Sequence, residues 1–156
     1  MSWKMEDTTL GNVSKGVFML DTIRIGMLGF GTVGKGVYKI LKNNAESIAV
    51  KVGAKLEIVK VLVKNLDKDR GVDLSPEVFT QDVHDILDNP LIDIVVEVMG
   101  GIHPALEYAL QTMQNGKSVI TANKDMIADV YKRQASFGIT KEFNKFRSNV
   151  YKVTAL

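Results

Sequence analysis

A single glycine cluster constrains the fold of this chain more than any other feature of its sequence. Residues 29–34 read GFGTVG, which matches the pattern G-x-G-x-x-G. An apolar run at residues 23–28 precedes the cluster and predicts a buried strand. An apolar stripe of helical period follows it and predicts a helix that ends near Asn43. The residues of this stripe are Val33, Val37, Ile40 and Leu41. Strand, glycine cluster and helix in this order predict a turn that binds a dinucleotide.

The three glycines of the cluster have different predicted tasks. Gly29 makes the tight turn after the strand, and Gly34 lets the helix pack closely on that strand. Gly31 has no Cβ, so a diphosphate can approach the backbone there. The free N–H groups and the positive dipole end of the following helix would then face the phosphates. The alternative interpretation is a tight turn that binds no ligand.

The end of the second predicted strand bears on the choice between NAD and NADP. Residues 56–63 (LEIVKVLV) are rich in β-branched side chains and predict that strand. The carboxylate that usually binds the adenosine ribose is missing at its tip, and Asp67 comes only later in the chain. Lys64, with Lys68 or Arg70 nearby, is placed to face a 2′-phosphate instead. The coenzyme is therefore predicted to be NADP or NAD, with NADP favoured; the alternative is that Lys64 is a solvated loop lysine.

The remaining pattern predicts an α/β fold. Residues 78–80, 92–98 and 118–122 predict three more strands, and residues 82–87 and 105–113 predict helices between them. Near-continuous apolar strands that alternate with helices are typical of a parallel sheet covered on both faces. The predicted fold is thus a Rossmann-type, doubly wound, mainly parallel sheet.

Composition excludes several classes of protein. With 46% hydrophobic and 24% charged residues, the chain has the balance of a folded globular domain. It contains no cysteine, which excludes a disulfide framework and a thiolate metal site, and we expect no bound metal. No apolar run reaches the ~18 residues of a membrane span, and residues 1–18 lack the continuous apolar core of a secretory signal. We therefore expect a cytoplasmic protein without a membrane partner.

The net charge of +2 is unevenly distributed along the chain. Residues 129–156 hold six Lys or Arg against two Asp or Glu, so the rest of the chain is slightly acidic. A basic tail can indicate nucleic-acid binding, but residues 129–134 (DVYKRQ) equal one translated frame of a transposon end used in DNA library preparation. We expect residues 129–156 to be a non-native tail rather than a nucleic-acid binder. Residues 1–18 are expected to be a disordered or non-native leader.

Three segments together resemble the homoserine dehydrogenase family. They are GFGTVGKGVYKIL at 29–41, DIVVEVMGG at 93–101 and GKSVITANK at 116–124. They stand in the family's order and at its spacing, and the resemblance covers about residues 19–128. The glycine cluster is shared by many dehydrogenases, whereas EVMGG followed by a helix and TANK is more specific. The resemblance implies an NAD(P)-dependent reduction of aspartate 4-semialdehyde to homoserine, in threonine and methionine biosynthesis.

The resemblance also implies roles for individual residues. Residues that would contact the coenzyme phosphates are Phe30, Thr32 and Val33. Residues that would lie along the nicotinamide half are Met99, Gly100 and Gly101, where small side chains let the ring approach. Lys124 matches the lysine of the TANK motif and would reach the active site. An ammonium group there would stabilise the developing alkoxide and supply a proton. His84 and His103 are expected to have no catalytic role.

In the family, a substrate and dimerisation domain follows the TANK segment, and the parent enzyme is expected to be a homo-oligomer. The sequence shows no counterpart of that domain after Lys124, so we expect the chain alone to lack turnover. Two alternatives stay open. One is a non-catalytic NAD(P)-binding module, and the other is a different semialdehyde or sugar dehydrogenase that shares the glycine cluster.

Overall fold

The fold is built on an all-parallel sheet, which a computed structural model describes together with its helices for residues 21–129 and 150–152. The strands are β1 (Asp21–Leu28), β2 (Ala54–Leu62), β3 (Phe79–Thr80), β4 (Ile94–Glu97), β5 (Ser118–Thr121) and β6 (Val150–Lys152). The helices are α1 (Thr32–Asn43), α2 (Ala45–Val52), α3 (His84–Leu87) and α4 (Ala105–Gln114), and a further helix occupies residues 124–129. A 3₁₀ turn at Pro76–Val78 leads into β3.

The strand order explains where a ligand can bind. The six strands lie in the order β3-β2-β1-β4-β5-β6, and every neighbouring pair is parallel. The chain moves outwards from β1 to β3 and then returns to the other side of β1 for β4. This reversal opens a crevice at the carboxyl ends of β1 and β4, the place where dinucleotides bind in Rossmann folds. The predicted Rossmann-type fold is confirmed.

Helices cover both faces of the sheet. On one face, Tyr38 of α1 packs with Ile25, Met27 and Val96 of the sheet. On the other face, two clusters join α3 and α4 to the sheet. Their buried members include Leu28, Ile86, Val95, Leu106, Ala109 and Val119. Alternate residues of β1 thus serve opposite cores, which is why its apolar run is nearly continuous.

The predicted apolar stripe of α1 is partly wrong. Val33 is 54% and Ile40 61% exposed, whereas the residues facing the sheet are Gly34, Val37, Tyr38 and Leu41. The helix approaches β1 most closely at Gly34, which carries no side chain. The face of α1 that packs on the sheet therefore includes Gly34 and Tyr38, two residue types that were not counted in the predicted apolar stripe.

Helix α2 was not predicted. Its eight residues bury only Ala49, while Val50 and Val52 point into solvent, so it shows no clear apolar stripe. The other predicted strands and helices are present, with ends that differ by at most two residues. Among the described helices, none combines the length and apolar character of a membrane span. The predictions for residues 1–18 and for most of residues 129–156 concern segments outside the described residues.

Lys117 is a buried lysine that fastens the loop before β4. It is 8% exposed, and its Nζ donates hydrogen bonds to the carbonyl oxygens of Asn89 (2.6 Å) and Ile92 (3.2 Å). The Asn89 carbonyl oxygen also accepts the backbone N–H of Ile92 at 3.2 Å, so Lys117 is its second donor and ties it to the Ile92 carbonyl oxygen.

We predict that Lys117→Met lowers the free energy of unfolding by about 1–3 kcal/mol, because two hydrogen bonds to backbone carbonyl oxygens are lost, one of them buried. The matched control is Lys55→Met. Lys55 is exposed on β2, so its replacement is expected to change stability by less than about 0.5 kcal/mol. Urea denaturation of the two variants measures both values. Equal stabilities would contradict the structural role given to Lys117.

Candidate functional site

A cavity of about 1120 Å³ lies at the carboxyl edge of the sheet, across the crevice between β1 and β4. One wall is the glycine cluster and the first turns of α1. A second wall is the end of β2 with the loop that follows it, and a third is the segment between β4 and α4. The cavity therefore spans both halves of the fold, as a two-part ligand requires.

The glycine cluster sets the floor of this cavity. Gly29 has a φ of +97°, and a Cβ there would lie 3.0 Å from the carbonyl oxygen of Val98. A Cβ on Gly34 would lie 2.9 Å from the carbonyl oxygen of Gly29. Both positions thus require glycine for a tight turn and for close packing of α1 on the turn, as predicted.

The start of α1 is open to the cavity. Gly31 is the N-cap residue, makes no side-chain capping bond, and would meet no atom within 4 Å if it carried a Cβ. The first turn of α1 holds no acidic residue. Its backbone N–H groups and positive dipole end are therefore available to an anionic group in the space beside Gly31. This geometry fits a diphosphate.

Cationic side chains line the same cavity. The cavity is lined by Lys35 and Lys39 of α1, Lys64 at the tip of β2, and Lys68 and Arg70 of the next loop. No Asp or Glu belongs to its described lining. Within the described part of the chain the four lysine ammonium groups have no hydrogen-bond or ion-pair partner. An excess of unpaired positive charge favours a ligand with several negative charges.

Arg70 shapes the loop rather than pointing freely into the cavity. Its guanidinium donates hydrogen bonds to the carbonyl oxygens of Asn65 and Lys68, the latter at 2.6 Å. It also lies 4.7 Å from the centre of the Phe79 ring. Gln81 Nε2 donates to the carbonyl oxygen of Lys64 at 2.8 Å. These contacts hold the backbone that carries Lys64 and Lys68 at the cavity edge.

The far end of the same loop is fastened to α1. Tyr38 donates its hydroxyl to the carbonyl oxygen of Asp73, and the Asp73 carboxylate accepts a hydrogen bond from Lys42 at 2.9 Å. That bond lowers the pKa of Asp73 and raises the pKa of Lys42. Because both groups are solvent-exposed, the pair contributes little to stability.

The third wall is less charged. It consists of Val98, Met99, Gly100, His103, Pro104 and Tyr108. His103, for which no catalytic role was expected, lines the cavity, and its Nδ1 lies 2.5 Å from Glu107 Oε1. A mostly apolar wall next to a cationic one suits a ligand with a charged part and a flat aromatic part.

The structure brings together most of the predicted coenzyme residues. Those that line the cavity are Gly29, Phe30, Gly31, Thr32, Lys64, Met99 and Gly100. Val33, Gly34 and Gly101 do not line it. Val33 is exposed, and Gly34 packs under the turn. Their predicted direct contacts with a coenzyme stay predictions.

Lys124 is also outside the cavity lining. It is exposed at the start of the helix of residues 124–129, directly after β5 and Asn123. This position is on the carboxyl side of the sheet, where the sequence placed it. Its predicted catalytic role stays a prediction.

Sequence reasoning missed several cavity residues. Lys35 and Lys39 are one helical turn apart on α1, so their i, i+4 spacing after the glycine cluster was an available signal. Asn65, Gln81 and Tyr108 carried no comparable signal, because they reach the cavity only through the fold.

Comparison with known proteins gives one family. A sequence profile described as "Homoserine dehydrogenase, NAD binding domain" matches residues 29–144. Homoserine dehydrogenase of Bacillus subtilis is 45% identical over 109 residues, 70% of this chain and 25% of that protein. The enzyme of Synechocystis is 42% identical over 123 residues, 76% of this chain and 28% of that protein.

Solved structures agree. A crystal structure of Staphylococcus aureus homoserine dehydrogenase at pH 8.5 superposes with a TM-score of 0.71 and 35% identity, covering 85% of this chain and 32% of that one. The enzyme of Thiobacillus denitrificans gives a TM-score of 0.70 and 36% identity, covering 85% and 29%. The chain thus spans about a quarter of the length of the curated relatives and about a third of the solved chains.

We predict opposite stability changes for two alanine substitutions on α1. Gly34→Ala places a Cβ against the Gly29 carbonyl oxygen and is expected to destabilise the fold by about 1–3 kcal/mol. Gly36→Ala meets no atom within 4 Å and is expected to stabilise it by about 0.5–1 kcal/mol through helix propensity. Thermal melts of both variants test the pair, and a shift of the same sign in both would contradict the geometry.

Proposed function

This chain belongs to the homoserine dehydrogenase family through its NAD-binding domain, and we propose that its cavity binds NADPH in preference to NADH. We further propose that the domain serves the reduction of aspartate 4-semialdehyde to homoserine in a homo-oligomeric parent enzyme. One observation carries the coenzyme proposal. Unpaired lysines surround the tip of β2, where an NAD-specific domain would present a carboxylate.

The residues present fit each part of the coenzyme. The open start of α1 at Gly31 and Thr32 would hold the diphosphate through backbone N–H groups. Lys64 and Lys68 would hold the 2′-phosphate of NADPH, and a lysine acts there as a point charge that needs no fixed angle. The apolar wall of Met99 and Gly100 would accept the nicotinamide ring.

When bound, the coenzyme supplies the hydride for reduction of the aldehyde. The chain's own contribution is then positional and electrostatic. The backbone of Met99 and Gly100 would shield one face of the nicotinamide ring from water, and the Lys124 ammonium would stabilise the negative charge that develops on the substrate oxygen. Lys124 is exposed after β5, so this role requires the substrate to lie on the carboxyl side of β5.

We predict that Lys64→Gln combined with Lys68→Gln weakens NADPH binding about tenfold or more, because charge-assisted contacts with the 2′-phosphate are lost. NADH affinity is expected to change less than about threefold, since NADH lacks that phosphate. Lys55→Gln, which removes an exposed charge away from the cavity, is the matched control. Fluorescence titration of the parent chain, the double variant and the control with both coenzymes measures the six dissociation constants. Equal losses for NADPH and NADH would contradict the proposed preference.

We also predict that this chain by itself binds coenzyme without oxidising homoserine. It spans about a quarter of its relatives, and Lys124 lies outside the lining of the described cavity. An absorbance assay for NADPH formation with homoserine and NADP is the measurement. Turnover at a rate typical of enzymes, about 1 s⁻¹ or faster, would overturn this expectation.

A further inference from the structure

A buried polar network lies beside the apolar wall of the cavity. Glu97, at the end of β4, is fully buried, and so is Thr121, at the end of β5. Asn123 follows β5 and is 7% exposed. β4 and β5 are adjacent parallel strands in which Glu97 is paired with Thr121. The register therefore places these polar side chains together at the carboxyl edge of the sheet.

Hydrogen bonds connect the members of this buried polar network. Glu97 Oε1 accepts from the backbone N–H of Met99 at 2.8 Å, and Oε2 accepts from the Thr121 hydroxyl at 2.5 Å. Thr121 Oγ1 in turn accepts from the backbone N–H of Asn123 at 3.0 Å. Asn123 Nδ2 donates to the carbonyl oxygen of Gly101 at 2.5 Å. The two ends of the segment at residues 99–101 are thus tied to the end of β5.

The Asn123 side chain also connects the polar network to the helix that carries Lys124. Its Oδ1 accepts the backbone N–H of Met126 at 3.1 Å, which caps the helix of residues 124–129. One side chain thus fixes both the cavity wall at Gly101 and the start of the helix that carries Lys124. A shift of either element would break one of its two bonds.

A carboxyl group at a fully buried position costs free energy unless its oxygens are hydrogen-bonded. An apolar side chain at Glu97 would fill the space but would leave the Met99 N–H and the Thr121 hydroxyl without these partners. What the carboxyl group adds is a fixed distance between β5 and the segment at residues 99–101. The need to fill a buried space does not explain a carboxyl group at position 97, because an apolar side chain would fill it as well. A need to place residues 99–101 exactly does explain it.

We propose that Glu97 and Asn123 are positioning residues for the nicotinamide half of the coenzyme. They hold residues 99–101 at a set distance from the segment that carries Lys124, and their side chains make no hydrogen bond to the described cationic residues of the cavity. This inference rests on the proposed function, because it takes the cavity to be the coenzyme site. It predicts that their loss affects one half of the coenzyme and spares the other.

The main test is Asn123→Asp in the full chain. The carboxylate keeps an acceptor for the Met126 N–H, so the helix cap is retained, but it can no longer donate to the Gly101 carbonyl oxygen. NADPH and 2′,5′-ADP are titrated in parallel, since 2′,5′-ADP has the adenosine half and the 2′-phosphate without nicotinamide. We expect the dissociation constant for NADPH to rise about tenfold, the effect of one lost hydrogen bond, and that for 2′,5′-ADP to change less than about twofold.

The matched control is Asn115→Asp. Asn115 Nδ2 also donates to a backbone carbonyl, that of Leu87 at 2.9 Å, and lies outside the cavity lining. This control also removes an amide donor, so it tests whether destabilisation alone changes binding. We expect it to lower the melting temperature and leave both dissociation constants unchanged.

Two substitutions of Glu97 distinguish the effect of its hydrogen bonds on residues 99–101 from the effect of a carboxyl group as such. Glu97→Gln retains an oxygen for the Met99 N–H, and its Nε2 can donate to Thr121 Oγ1, so it is expected to bind both ligands like the parent chain. Glu97→Leu removes both bonds and is expected to weaken NADPH at least as much as Asn123→Asp. Should Glu97→Leu fail to fold, the Asn123→Asp measurement still decides.

The outcomes distinguish the two proposals. If the parent chain binds neither NADPH nor 2′,5′-ADP, the proposed function fails and this inference fails with it. If the parent chain binds both, the inference alone is overturned when Asn123→Asp weakens both ligands in parallel or neither. A loss confined to NADPH supports it.

Discussion

The site depends on one close contact, that between Gly34 of α1 and the carbonyl oxygen of Gly29. A Cβ at position 34 would lie 2.9 Å from that oxygen, so the helix sits as near to the turn as backbone atoms permit. The approach aims the start of α1 into the crevice between β1 and β4. It also turns Val33 and Ile40 towards solvent and lets Tyr38 face the sheet. Tyr38 then reaches the backbone of Asp73 and anchors the loop that carries the cavity lysines.

Two kinds of interaction build the two halves of the cavity. On the β2 side, the unpaired lysines Lys64 and Lys68 lie next to Arg70 in the loop after β2. The Arg70 guanidinium stabilises this loop by donating hydrogen bonds to backbone carbonyl oxygens and by lying over the Phe79 ring. On the β4 side, buried neutral and acidic groups fix the backbone instead, through Glu97 and Asn123. The first arrangement attracts negative charge without demanding exact geometry. The second sets geometry in a region with little charge, which suits the part of a coenzyme that must be aligned with a substrate.

Sequence patterns were sufficient for the parallel sheet and the glycine turn, because both follow from local rules. Apolar runs predict buried strands, and only glycine fits the turn at Gly29.

Sequence patterns failed where tertiary contacts decide the structure. Helix α2 buries only Ala49 and so shows no apolar stripe, and His103 lines the cavity through its place in the segment between β4 and α4. The buried roles of Glu97 and Thr121 depend on strand register, which a single sequence does not state. Lys124 was placed on the correct side of the sheet, but its distance from the cavity depends on the path of the chain after β5.

Above all, we propose that the start of α1 holds the diphosphate of a nicotinamide coenzyme. The decisive measurement follows the amide chemical shifts of the ¹⁵N-labelled chain during titration with NADPH. We expect the largest shifts at the backbone amides of Gly31 and Thr32, with smaller ones at Lys64 and Gly100. If these amides stay unchanged at millimolar NADPH while the dispersed spectrum of a folded domain persists, the start of α1 does not hold the coenzyme.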